Sequence, residues 1–504
     1  MRTRPATLVF FTVLVLLATT QGNRFVLTAD EGILLNPAQL LAGGARPYVD
    51  FFGYMSPGSY WLQAAWFKVM GVTLWAGRFP VILNFSLQCA LLFWLTARLA
   101  SRHAAAAAVT IFVGFQVADP VFLTTQHRWD SSTLALAGVC AAIRWTSKKG
   151  LFASAALLAA AAWCTPSLAL VGVAELLWLS TNTERRRLIA PFLGGILAVT
   201  ALAAGRLALD GTLRAFVAQM LWLQRNYTSV NIMPYGSVIG GYGNLFANTA
   251  GLERFLRVLF VFCFALPAIL PPTAILLWGG MYWRRKLPAE LGSDLVLLLL
   301  ATVAFVFSAF PRADLFHLAF VAAISYALAG AAIARLLSVR AGTIVAFTLI
   351  PIAVLFSLNS FTGAFAVKSM ASPVGRIRVP NDMVPTVAGL LSRVSPGQSM
   401  FVYPYLPICY FITQTTNPTR FSYLAPGMMT QPEENEALSA LKANPPEWLL
   451  YMRLSDQEFK RVFPNAGGAS AHFTALESWL DQSYADQHAV NIAGYQLYRR
   501  VALR

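Results

Sequence analysis

Charge is scarce in this chain. Of 504 residues only 12% are Asp, Glu, Lys or Arg, while 57% are hydrophobic, and an ordinary soluble domain carries about 25% charged residues. Mean hydropathy is +0.58. These values exclude a soluble enzyme and a disordered chain. Acidic residues are scarcer than basic ones, 22 against 38, for a net charge of +16. The long apolar runs lack polar alternation, which excludes a membrane β-barrel. Cysteines are few: Cys89, Cys140, Cys164 and Cys263 lie in apolar runs, and Cys409 stands alone in the polar tail. That tail therefore has no internal disulfide, and no CxxC or His/Cys cluster points to zinc or redox work. No repeat of about 20–50 residues is visible.

What is present is a series of apolar runs of about 15–20 residues between Val9 and Leu358, the mark of a polytopic membrane protein. Residues 1–359 hold 26 Lys and Arg against 12 Asp and Glu; residues 360–504 hold 12 against 10. The basic excess thus sits in the short loops of the membrane part, as a topology signal and not a nucleic-acid footprint. The basic clusters recur at alternate loops: Arg98/Arg102, Arg144/Lys148/Lys149, Arg185–Arg187, Arg284–Lys286 and Arg335/Arg340. Placing them in the cytoplasm puts the N-terminus inside. Arg2 and Arg4 before the first run also fit a cleaved signal peptide, but with so many spans following, a first anchor is the simpler reading. About eleven spans are expected, at 6–22, 79–97, 104–123, 131–145, 151–165, 167–181, 189–206, 255–280, 292–310, 316–334 and 342–359. The short pair around Pro166 fits two half-depth helices or a re-entrant turn equally well. An odd count places the tail outside.

The fold class expected is therefore an all-α polytopic membrane domain, residues 1–359, with a small extracytoplasmic α/β domain, residues 360–504. In the tail, 399–405 and 448–451 read as buried strands, 433–443 and 475–481 as helices, and 491–501 as a last strand. External segments 23–77 and 210–254 are too long to be simple connectors, and loops of that length are usually functional.

Candidate residues collect at the external ends of the spans. Asp30-Glu31 follows the first span. Neighbours on a helix point about 100° apart, so one carboxylate can face a cleft while the other bonds the scaffold, and a positioned carboxylate can act as general base toward an acceptor hydroxyl. The bland alternative is a helix cap or a solvated loop edge. Gln126-His127-Arg128-Trp129-Asp130 offers Arg128 for a phosphate, whereas Asp130 fits a helix N-terminus and the two can equally pair with each other. Phe310–His317 places Arg312, Asp314 and His317 within six positions; the alternative there is an interfacial salt bridge with a snorkelling Arg. Asp50 is either structural or acceptor-facing. Glu175 lies inside a span, where an acid is functional by default, yet close enough to the cytoplasmic end to reach water.

The run from Asp30 to Pro80 resembles the GT-C superfamily of integral-membrane glycosyltransferases, in particular the branch holding protein O-mannosyltransferases and the lipid A aminoarabinose transferase. Asp30-Glu31, Leu40-Leu41-Ala42-Gly43, Pro57 to Phe67 and Arg78 match that branch in order and spacing over about fifty residues. The resemblance implies transfer of a sugar from a polyprenyl-phosphate donor to an extracytoplasmic glycan, lipid or protein acceptor, usually with inversion. It implies Asp30 as the catalytic carboxylate with Glu31 beside it; with the readings above, the substrate-binding candidates are Arg128, Asp130, Arg312, His317, Asp50 and Arg78. It also implies an inner-membrane, multi-pass setting. No cofactor and no nucleic-acid partner are expected. Asp30, Glu31, Asp50 and Asp130 could supply a divalent-metal site as in oligosaccharyltransferases, but the branch resembled works without one, so no metal is expected. There is one departure: the aminoarabinose transferase has a Lys before the loop proline that contacts the donor phosphate, and here that position is Ser56. A lipid phosphate still needs cations, and Arg312 and His317 are the natural substitutes.

Two rival functions remain. A transporter or flippase for a lipid-linked substrate would place polar groups near the bilayer midplane in repeated halves; here the carboxylates sit at helix ends and no halves repeat. An inactive GT-C-like assembly subunit is the other, against which an intact Asp30 counts.

Overall fold

The computed structural model describes residues 4–284, 289–337, 339–466 and 470–501; Arg2, Arg285 and Lys286 of the basic clusters lie outside them. Eight helices build the first half: α1 (Arg4–Gln21), α2 (Ala29–Ala42), α3 (Pro57–Met70), α4 (Leu74–Leu99), α5 (Arg102–Gln116), α6 (His127–Arg144), α7 (Lys148–Cys164) and α8 (Ala169–Ser180). Serine and threonine start several of them by the usual capping bond: Thr73 for α4, Ser101 for α5 and Ser147 for α7. Helices Ile189–Leu209, Leu213–Val230, Gly251–Phe264, Leu266–Trp283, Ala289–Ser308, Ala323–Leu336 and Val339–Gly363 follow.

Among the described residues, four helical stretches are long and apolar enough to cross a membrane: Arg4–Gln21, Leu74–Leu99, Thr183–Leu209 and Ala341–Gly363. Gly251–Phe264 and Leu266–Trp283 make a fifth if taken as one span, but they meet at 57°. The expected straight span at 255–280 is therefore broken, with Pro267 just inside the second helix. Eleven spans are not established by this measure. The physical reason is visible in α6: one full turn of it, Asp130, Ser131, Ser132 and Thr133, is polar yet buried, so it lies in the bundle without being uniformly apolar. Pro166–Ser180, Gly292–Ser308 and Ala323–Leu336 are apolar but shorter. With its many apolar helices the chain is a multi-pass membrane protein.

The tail builds two sheets. The hairpin of β1 (Val367–Ser372) and β2 (Gly375–Pro380) is antiparallel. The second sheet holds β3 (Met400–Tyr403), β4 (Trp448–Tyr451), β5 (Tyr484–Ile492) and β6 (Tyr495–Arg500) in the order β3-β4-β6-β5. Strands β3 and β4 pair in parallel and are buried at every position, which fits their unbroken apolar sequence. Helices Gln431–Ala443 and Thr474–Ser483 belong to the same region.

The tail is tied to the segment that carries the Asp-Glu pair. The Phe25 amide donates to the Arg378 carbonyl at 2.8 Å, and the Arg378 amide to the Asn23 carbonyl at 2.8 Å. The Leu74 amide, opening α4, donates to the Val374 carbonyl. One apolar core joins Phe25, Leu35, Phe67 and Leu74 of the membrane part to Ile377, Val402, Ile408 and Leu450 of the tail. Helix α2 is thus pinned on both sides before any site chemistry is considered.

Candidate functional site

Helix α2 opens with Thr28 extended and both acids in its first turn, where the helix dipole favours negative charge. Their fates differ because adjacent helical positions face different ways. Glu31 is fully buried and takes two of the three Arg78 guanidinium nitrogens, Nε in a close contact and one terminal nitrogen at 2.7 Å. It also accepts from the Thr125 amide at 3.1 Å, with the Thr125 hydroxyl 3.2 Å away. Arg78, from α4, is 1% exposed. This bidentate pair fixes the Asp-Glu turn to α4 and to the loop before α6. Asp30 is exposed and, among the described residues, its carboxylate has no hydrogen bond or ion pair.

Gly32 follows directly. A Cβ there would lie 2.1 Å from the backbone nitrogen of Ile408, so only glycine lets α2 pass the tail this closely. Gly32→Ala should cost about 1–3 kcal/mol of stability as an overpacking change and displace Asp30, two residues away. A lowered melting temperature together with reduced turnover is the expected result; unchanged values of both would contradict the contact.

Asp30 lies within electrostatic range of two guanidinium groups. Its charge acts on Arg128, Arg312, Tyr227 and Tyr423. Arg312 is held in place: Nε reaches Asp314 at 3.1 Å and a terminal nitrogen reaches the Asn231 side-chain oxygen at 2.9 Å. Asp314 caps the short helix Leu315–Phe320, accepting the His317 amide at 3.0 Å and lying 2.8 Å from its Nδ1. Burial pushes the Asp314 carboxyl up, but the His317 bonds and the nearby Arg312 charge outweigh it and bring it to about 2. Arg128 stands in the same field, near Asp30, Asp314 and Tyr227, yet its guanidinium makes no hydrogen bond or ion pair among the described residues. A cation held among carboxylates without a bonded partner is suited to an incoming anion.

The structure brings Asp30, Arg128, Arg312 and His317 together and sends the other candidates elsewhere. Asp130 is buried and accepts from the Asn84 amide at 2.7 Å; it does not pair with Arg128. Arg78 is bound to Glu31 through Nε and one terminal nitrogen, while its other terminal nitrogen is buried with no partner among the described residues. Asp50 is spent on Arg46, which bonds it through its amide at 2.7 Å and its guanidinium at 2.9 Å. Those bonds hold the Asp50 carboxyl below its usual range. Ser56 starts α3, with its hydroxyl 3.8 Å from Met220 Sδ. Glu175 is fully buried and bonded by Ser154 at 2.9 Å. Among the described residues no three His, Cys, Asp or Glu side chains gather as a metal site. A cavity of about 700 Å³ opens in the tail, lined by Thr430, Gln431, Glu434, His472 and Thr474 among others; none of the candidate residues lines it.

Asn231, Tyr423 and Tyr54 were not legible as site residues. Asn231 reaches Arg312 across 81 positions and Tyr54 reaches Tyr423 across 369, so no local motif marks them. The aromatic content of segment 210–254 is the one sequence signal that leads toward Tyr227.

A helical membrane bundle with an Asp-Glu turn at the start of its second helix and a small α/β tail packed against it is a fold that solved structures share. The chain is similar over its whole length to ArnT, the lipid A aminoarabinose transferase, from Cupriavidus metallidurans. With the undecaprenyl phosphate-bound form the TM-score is 0.59 at 12% identity, covering 100% of this chain and 99% of that one. With the apo form it is 0.54 at 13%, covering 98% of each. It is also similar to the archaeal oligosaccharyltransferase AglB from Archaeoglobus fulgidus in complex with an inhibitory peptide and a dolichol-phosphate, with TM-score 0.51 at 10% identity over 98% of this chain and 74% of that one. No protein-family model matches the chain, and a search of curated proteins finds no match.

Proposed function

We propose that the protein is a membrane glycosyltransferase that moves a sugar from a polyprenyl-phosphate donor to an extracytoplasmic hydroxyl acceptor, with Asp30 as general base. The observation that carries this is the opposite state of two neighbouring acids: Glu31 is locked by Arg78, while Asp30 is open and unbonded beside the unpaired Arg128. In the step, the acceptor oxygen attacks the anomeric carbon of the donor sugar and Asp30 takes the acceptor proton. The bond from that carbon to the phosphate oxygen breaks, and its electron pair leaves with the polyprenyl phosphate. Attack from the side opposite the leaving group inverts the anomeric centre. Arg128 and Arg312 stabilise the charge that develops on the phosphate, as preorganised cations do. Glu31 and Arg78 position the turn without touching substrate. The similar ArnT binds undecaprenyl phosphate and the similar AglB a dolichol-phosphate, which supports a polyprenyl-linked donor.

On this reading residues 1–359 form the catalytic membrane domain and residues 360–504 an extracytoplasmic domain, with the N-terminus cytoplasmic in a multi-pass inner-membrane protein. The contact of Gly32 with Ile408 supports a shared side for Asp30 and the tail.

Arg128 supplies the test of the donor side. Arg128→Ala should raise the donor KM about tenfold or more, since a charge-assisted contact is worth about 1.5–3 kcal/mol. Arg312→Ala should have a mixed effect, because it also frees Asp314 and Asn231. Titration of the purified protein with undecaprenyl phosphate reads the affinity directly, and unchanged binding in Arg128→Ala would remove Arg128 from the phosphate site.

A further inference from the structure

The acceptor side of Asp30 is built by the tail. Tyr423 stands in the middle of a row of three rings: its centroid is 5.0 Å from Tyr54, edge to face, and 5.6 Å from Tyr405 at a 35° tilt. The row is anchored, since the Tyr54 hydroxyl donates to the Tyr423 carbonyl at 2.7 Å. The same stretch of tail reaches the phosphate side, because Asn231, which holds Arg312, also lies 3.8 Å from Met428 Sδ. Tyr227 joins Tyr54, Tyr405 and Tyr423 around the small cluster of Val230, Ala425 and Met428.

All four of these tyrosines are half-buried, and the hydroxyls of Tyr227, Tyr405 and Tyr423 make no hydrogen bond among the described residues. Tyr227 and Tyr423 both lie within the field of Asp30 and Arg312. Some amides along the wall are already used: the Tyr54 amide donates to the Tyr60 hydroxyl, the Tyr405 amide to the Tyr495 hydroxyl, and the Leu424 amide to the Pro404 carbonyl.

We infer that the wall of Tyr54, Tyr423 and Tyr405 is the acceptor subsite and that the acceptor is a saccharide, a pyranose ring held against Tyr423 with one hydroxyl delivered to Asp30. This rests on the function proposed above and adds the acceptor class to it. A pyranose has an apolar C–H face for the aromatic rings and a rim of hydroxyls for the free phenols, and aromatic rings with a few convergent polar groups are how small polar ligands are bound. An acyl chain would strip water from three phenols and return no hydrogen bond, which is costly. A peptide backbone would look for free backbone donors, and the Tyr54 and Tyr405 amides are occupied.

The experiment uses the full-length protein in nanodiscs with radiolabelled undecaprenyl-phosphate sugars as donors. The acceptors offered are methyl glycosides of glucose, galactose, mannose and N-acetylglucosamine, a Ser/Thr-containing peptide, and diacylglycerol. Label is expected on a glycoside. Tyr423→Ala should raise the acceptor KM about three- to tenfold, the range of an aromatic contact, and more than it raises the donor KM. Tyr423→Phe, which keeps the ring, should recover most of that loss. Label found only on the peptide or the lipid overturns the inference. So does donor consumption without a glycoside product, or an acceptor KM unmoved by Tyr423→Ala. If instead no donor is consumed and undecaprenyl phosphate does not bind, the proposed function itself has failed.

Discussion

Asp30→Asn is expected to lower kcat by about 10²–10⁴-fold, the usual contribution of a general base, with donor binding and folding retained. The substitution keeps the shape of the side chain and removes its basicity. Folding should be insensitive because Asp30 is exposed and bonded to nothing among the described residues. Two readings of the same purified variant are needed. A thermal melt should match the wild type, and single-turnover sugar transfer should be slow at saturating donor. Wild-type turnover in the variant would remove Asp30 from the chemistry. A fall in both melt and rate would instead make it a structural residue like its neighbour.

Arg78→Ala should act in the opposite way, on the fold first. Glu31 would be left as an unpaired charge in a site with no exposure, and breaking a buried pair from one side costs about 3–5 kcal/mol. The melting temperature should fall clearly, and turnover should fall with it because the Asp30 turn loses its anchor. Glu31→Gln, which keeps the hydrogen-bonding shape, should be milder. The double variant Arg78→Met with Glu31→Gln should be less damaged than the sum of the two changes, since removing both charges removes the desolvation penalty. Strict additivity would show that the pair is not what holds the turn. Arg78→Lys should not rescue, because a lysine cannot repeat the two-nitrogen contact.

The parts of this site that sequence reveals are those set by local geometry. Two acids side by side at a helix start must diverge, and one of them finding Arg78 follows from a run of about fifty residues that folds as one unit. The cations are also within reach, since Arg128 and Arg312 sit in short charge-dense stretches at the ends of apolar runs. What sequence could not show is how those cations differ. Arg312 is occupied by Asn231 and Asp314, whereas Arg128 is not, and the difference is decided by a residue 81 positions away. The same holds for Tyr423, whose place beside Asp30 depends on the tail folding back onto α2 at Gly32. The count of eleven spans is left unconfirmed for a related reason. Hydropathy counts apolar runs, but α6 buries a polar turn and the 255–280 run is bent by 57°, so apolar length alone does not count the crossings.

The most direct test of the central claim is transfer by the purified wild-type protein in nanodiscs from a panel of radiolabelled polyprenyl-phosphate sugars, with the donor's lipid and sugar followed separately. The account predicts a new glycosidic bond of inverted configuration, with one polyprenyl phosphate released for each sugar moved. Movement of intact lipid-linked sugar across the bilayer, with no bond broken, would contradict it and make the protein a transporter.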